Sequence, residues 1–224
     1  SMRGATLRGT VLDGTDLQDA ELTGADLAGA RLHQADLQRA TLDGARLKEA
    51  TLTQAKLQQA SLTKTGLRSA TLDEADLQET RLNEADLQGA SLNGADLRGA
   101  SLQRAVLRTA SLRGATLDQA KLQEAAFEQA DLQGATLRTA ILDRAGLQRA
   151  TLDDTDLERA MCPEARLDQA SLKGAKLNGT DLRGASLRWA RLQKANLQDA
   201  KLDGADLRGA TLKWALLQHT SLQG

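Results

Sequence analysis

Leucine returns at every fifth position of this chain, and neither an α-helix nor a flat β-strand can bury a residue with that period. The central positions run 2, 7, 12 and onward to 222; 42 of these 45 are Leu, and the exceptions are Met2, Phe127 and Cys162. A second set, two residues before each of these, runs 5, 10, 15 through 220. Of its 44 positions 37 are Ala and seven are Thr. Neither set contains a charge, and no insertion or deletion breaks the register. On a helix five residues advance by about 500°, so successive Leu would spiral around every side. On a flat strand an odd step places them on opposite faces. All the Leu can share one interior only if the chain turns a corner every five residues, and units that small bury little until they stack on one another.

The residues between the apolar positions are those a corner needs. Seventeen of the 19 Gly lie two residues after a central position. In a turn that starts at the Leu this is the third residue, where a type II turn requires positive φ. Pro163 follows the central Cys162 directly, at the second turn position, which proline favours.

Ala25-Asp26-Leu27, Ala85-Asp86-Leu87, Ala95-Asp96-Leu97, Ala195-Asn196-Leu197 and Ala205-Asp206-Leu207 follow the pattern A(D/N)LXX. In this the chain resembles the pentapeptide-repeat proteins along its whole length. The resemblance implies an all-β fold: a right-handed, quadrilateral parallel β-helix with four sides and twenty residues per coil. That makes about eleven coils, a rod of roughly 50 Å at ~4.8 Å per coil. A single repeat domain over 1–224 is expected, and whether it belongs to a longer protein is left open.

Composition removes several classes of function. The 29 basic and 30 acidic residues nearly cancel, so no overall field favours nucleic acid. Direct nucleic-acid binding is not expected, and no apolar run is long enough for a membrane span. One Cys excludes an internal disulfide framework and suits a reducing compartment; a cytoplasmic location is expected, with secretion as an effector left open. His33 and His219 stand at outward positions near opposite ends and read as solvated surface residues. Cys162 takes a central, inward position with no His near it in the repeat, so it reads as packing rather than as a nucleophile. The Gly spacing is the repeat period rather than a phosphate loop, and no metal-ligand spacing occurs. No residue is assigned a catalytic, cofactor-binding or metal-binding role. The expected protein is not an enzyme; a polymer-processing β-helix would need a carboxylate cluster in a cleft.

At twenty residues per coil the outward residues sort onto four faces. The face of pentapeptides beginning at 16, 36 and 56 holds ten acids against six bases, and the opposite face nine bases against six acids. Asp16, Asp36, Asp76, Asp96 and Asp156 on the acidic face form a possible DNA-mimicking surface. The resemblance ties such a surface to DNA gyrase and quinolone protection. Gln18, Gln38, Gln58 and Gln78 line up on the same face and read as a side-chain amide ladder. Val106, Ile141 and Met161 read as scattered surface apolar residues. The C-terminal end carries the two Trp, Trp189 and Trp214, with Arg188, Arg191, Lys213 and the outward Leu216. Exposed aromatics among cations read as a partner-binding surface, and the resemblance implies a homodimer through these coils; the other reading is that Trp covers the open end of the core. The leading expectation is a non-catalytic interaction scaffold or spacer for a protein partner. A DNA-mimicking modulator of DNA gyrase is the alternative.

Overall fold

In the computed structural model, which describes residues 1–223, each outward residue preceding a central position forms a parallel β-bridge with the residue twenty ahead of it. Four columns result. Thr6 to Asp206 makes the first side, Val11 to Thr211 the second, Asp16 to Leu216 the third and Glu21 to Ser221 the fourth. Bridging is confined to one residue in five, because the others are spent on the corners. The sides are therefore single bridges rather than extended strands, shorter than the word β-helix implies.

The backbone pairing follows from this geometry. The N–H of Leu7 donates forward to the carbonyl of Asp26 at 2.7 Å, and Asp26 N–H donates back to Ala5 at 2.8 Å. At the corner Gly9 N–H donates to Ala28 at 2.9 Å, and within the turn Ala30 N–H closes on Leu27 at 2.9 Å. Repeated along the chain, this pairs four N–H groups in every five.

The core is one unbroken column of Leu and Ala from Leu22 to Leu202, with Phe127 and Cys162 buried in it. Burying each Leu contributes about 1.5–3 kcal/mol before relaxation of the unfolded reference. The Thr residues at small positions do not orphan their hydroxyls. Thr10, Thr15 and Thr155 donate to the carbonyl three residues back; Thr65, Thr80, Thr180 and Thr220 donate to the coil below. Cys162 is shorter than the Leu that it replaces, and a void of about 10 Å³ lies beside it among Leu147, Leu157, Leu167 and Leu182. Burial pushes its thiol up, as do Asp143 and Asp181, which makes it an inert packing group.

Every corner from Gly4 to His219 holds its third residue at φ between 54° and 71°, and only sixteen of these residues are Gly. Left-handed backbone costs a side-chain-bearing residue about 1–2 kcal/mol, and β-branched Thr109 and Thr139 are the least suited of all. Coil stacking holds them there.

The remaining N–H, on the second corner residue, explains the Asp and Asn content. Every Asp or Asn at a bridge position, from Asp16 to Asp206, accepts this N–H from the residue two ahead; Asp16 takes Gln18 at 3.0 Å and Asp131 takes Gln133 at 3.0 Å. At nine further corners the acceptor comes from the second corner residue of the coil below: Asp43 takes Thr63 at 2.8 Å, and Asp73 takes Asn93 at 2.8 Å. The same Asp or Asn then accepts a Ser hydroxyl at the bridge position above it, as Asp43 does from Ser61 and Asn83 from Ser101. The Gln residues on the acidic face bond to carboxylates rather than to one another. Gln18 and Gln38 share Asp36, and Gln58 and Gln78 share Asp76, because an anionic acceptor outcompetes an amide. The amide ladder is thus replaced by carboxylate-centred clusters.

Two predictions follow from the corners. Thr109→Gly and Thr139→Gly should each raise unfolding free energy by about 0.5–1 kcal/mol, the left-handed cost less glycine's entropy; urea denaturation measures it. Asp168, Asp181 and Asp206 are held below the ordinary carboxylate range by their Arg188, Arg183 and Arg208 partners, with Asp206 lowered to about 2. Their contribution is complete above the unfolded value and lost as pH falls through the lowered one. The melting temperature should hold from neutral pH to about 4 and then fall towards pH 2.

Candidate functional site

The C-terminal coils depart furthest from the repeat. Trp189 and Trp214 both occupy left-handed corner positions, with φ of 60° and 63°, where a side chain is directed outward. Each is 66% exposed. The Trp189 ring lies flat on Gly209 one coil further on, where a Cβ would overlap the indole. Trp214 is held by cations: Lys213 Nζ sits 4.1 Å from the ring centroid and Lys194 Nζ 5.9 Å, worth about 0.5–1 kcal/mol each at an exposed site. Neither indole closes the end of the core, since Leu217 and Leu222 remain 39% and 54% exposed. The end-covering reading of the Trp residues does not hold.

The expected site residues divide into two groups. Arg188 is fastened to Asp168 at 2.9 Å, as Arg208 is to Asp206 at 2.6 Å, so both cations serve the scaffold. Arg191, Lys194 and Lys213 lie on the second side, beside Trp214 and across a corner from Trp189. Leu216 bridges Asn196 on the third side and is 44% exposed. It belongs with Leu217 and Leu222 to an apolar rim rather than to the cation cluster.

On the acidic face all six bases pair with acids of that face. Arg39 meets Asp19, Lys56 meets Asp36, Arg98 meets Asp96, Arg138 and Lys176 meet Asp156, and Arg159 meets Glu158. Asp16, Asp36, Asp76, Asp96 and Asp156 also each cap a corner N–H. Asp156 is nearly buried, and burial's upward pull on its carboxyl is outweighed by Arg138, the Glu158 N–H and Lys176.

A second departure lies on the fourth side. Ile141 and Met161 are bridge partners rather than scattered residues. With Pro163, Glu124, Arg144 and Glu164 they line a groove that holds Asp143. Pro163 has no N–H, so Asp143 lacks the donor that its counterparts receive from the coil above, and one carboxylate oxygen is buried without a partner. Among the described residues no helix is long and apolar enough to cross a membrane, and no cluster of His, Cys, Asp and Glu could hold a metal ion.

Comparison with known proteins accounts for the scaffold. The family model for pentapeptide repeats matches in eight copies that together run from residue 1 to residue 224. HetL, a pentapeptide repeat protein involved in heterocyst differentiation regulation from the cyanobacterium Nostoc sp. strain PCC 7120, is 38% identical over 95% of this chain and 89% of its own, with a TM-score of 0.40. A trypsin-treated form of QnrB1, a plasmid-mediated fluoroquinolone resistance protein, is 20% identical over 79% of this chain and 88% of its own, with a TM-score of 0.50. A search of curated proteins finds no match. The repeat model, matching along the whole length, establishes that this chain belongs to the pentapeptide-repeat family, and its four columns of parallel bridges trace a β-helix of that kind.

Proposed function

We propose that this chain is a non-catalytic protein-binding scaffold that self-associates through its C-terminal coils. The observation that carries this reading is the exposed apolar group of the C-terminal coils: the outward Leu216, 44% exposed, with Leu217 and Leu222 exposed by 39% and 54%, where the Leu from Leu22 to Leu202 are buried. Exposed apolar surface of this kind is stabilised by a partner, and a two-fold arrangement lets one rim cover another. We propose a cytoplasmic location, with which the single free, buried Cys162 agrees.

The alternative, a DNA-mimicking modulator of DNA gyrase, draws on the acids of the third side that have no cation partner, among them Asp16 and Asp76. The pairing of that side's six bases with its own acids weakens the field such mimicry needs. At 20% identity the likeness to QnrB1 speaks for the fold alone.

Sedimentation velocity tests the leading reading. The wild type should sediment as a dimer and Leu216→Glu, which changes an outward residue, as a monomer with an unchanged circular-dichroism spectrum; a monomeric wild type at tens of micromolar, a concentration matched to ordinary affinities, overturns it. Inhibition of gyrase supercoiling by the purified protein would favour the alternative instead.

A further inference from the structure

The second side of the last three coils holds Lys173, Arg191, Lys194 and Lys213, and no carboxylate occurs in 171–175, 191–195 or 211–215. This departs from the habit of the molecule. The neighbouring Arg183, Arg188 and Arg208 are each locked to an Asp of the scaffold. Among the described residues, none of the four cations on the second side meets a carboxylate within 4.0 Å. Of the two acids on this side of the coil below, Asp153 is taken up by the Ser171 hydroxyl and the Lys173 N–H, and Asp154 lies against Gly174 at the foot of the strip. At the border of this positive strip stand the chain's only two Trp, both 66% exposed.

We propose that this flank docks an extended, acidic segment of a partner protein. Carboxylates of the segment would meet Arg191, Lys194 and Lys213, and an apolar side chain would cover the free face of Trp189. The opposite face of that ring already rests on Gly209. Charge complementarity selects an anion, and the arrangement of the indoles selects a peptide over a nucleic acid. Lys213 and Lys194 already occupy positions over the Trp214 ring, so that ring presents ammonium groups rather than a bare surface for stacking a base. The cations also span only three coils, about 10 Å. That height suits two or three acidic side chains of an extended strand, and it offers a phosphate backbone a short track. The inference rests on the reading of the chain as a protein-binding scaffold and is independent of self-association, which uses the apolar rim.

The two Trp make the protein its own reporter. The probe is a synthetic octapeptide of alternating Glu and Leu, free of aromatic residues, titrated while Trp emission is recorded. A saturable change is expected. Lys194→Glu combined with Lys213→Glu should weaken it at least tenfold, the loss of roughly two charge contacts. Arg81→Glu with Lys121→Glu on the fourth side should leave it unchanged, and Trp189→Ala should weaken it severalfold. Melting curves matching wild type establish that the variants fold. The proposal is overturned by the absence of a saturable change, by equal affinity in the Lys194/Lys213 variant, or by tighter binding of oligothymidylate of equal charge. Sedimentation of the Lys194/Lys213 variant separates the two readings: self-association should survive in it. Its loss would make a second copy the occupant and overturn the acidic-segment assignment.

Discussion

A chain that turns a corner every five residues leaves one backbone N–H in five without a partner in the coil's own ladder, and the rest of this structure is arranged around that group. The central residue, the bridge residue, the third corner residue and the small residue all find carbonyls. The second corner residue does not. The chain supplies a side-chain oxygen at many of these corners, either from an Asp or Asn two residues earlier or from the coil beneath. Both solutions leave the interior free of charge, so the Leu and Ala column can run through the rod unbroken.

This accounts for how the surface charge is spent. Most carboxylates cap a corner, pair with a neighbouring Arg or Lys, or do both, so acid content says little about function. Asp26 caps Ala28 while bridging Arg8 and Arg46. On the fourth-side corner, Lys64–Glu84, Arg104–Glu124 and Arg144–Glu164 alternate in sign from coil to coil. Exposed pairs of this type contribute about 0–1 kcal/mol each. Their alternation also disfavours a slip of one coil, which would set like charges together, in a molecule whose coils are otherwise nearly interchangeable. Against that background two features stand out: the unpaired Lys173, Arg191, Lys194 and Lys213 gathered on one side of the last coils, and the exposed Leu residues at the C-terminal end.

Much of the architecture was legible from period and turn chemistry alone. The inward Leu and Ala, the positive φ at the third corner residue and the inward Cys162 all follow from counting in fives. Most corner residues adopt that φ without being Gly, because stacking outweighs local preference. The bridge-position Asp was visible as part of the repeat, but its partner was not. The second acceptor position was missed altogether: its signal is an offset of eighteen between Asp43 and Ser61, Asp73 and Ser91, and Asp168 and Ser186, which a search at the period of five does not sample. At the candidate site the Trp residues and cations were legible as exceptions to the repeat. The division of Arg188 from Arg191 and Lys213 was not, because it depends on which Asp lies within reach.

Amide hydrogen exchange, resolved by residue, tests most directly the claim that Asp and Asn are spent on the corners. Thr63, Asn93 and Gln103, whose N–H groups are held by Asp43, Asp73 and Asn83, should exchange at least tenfold more slowly than Thr53 and Asp73, for which no such acceptor is found; tenfold corresponds to about 1.4 kcal/mol of protection. Equal rates at the two sets of corners would contradict the account.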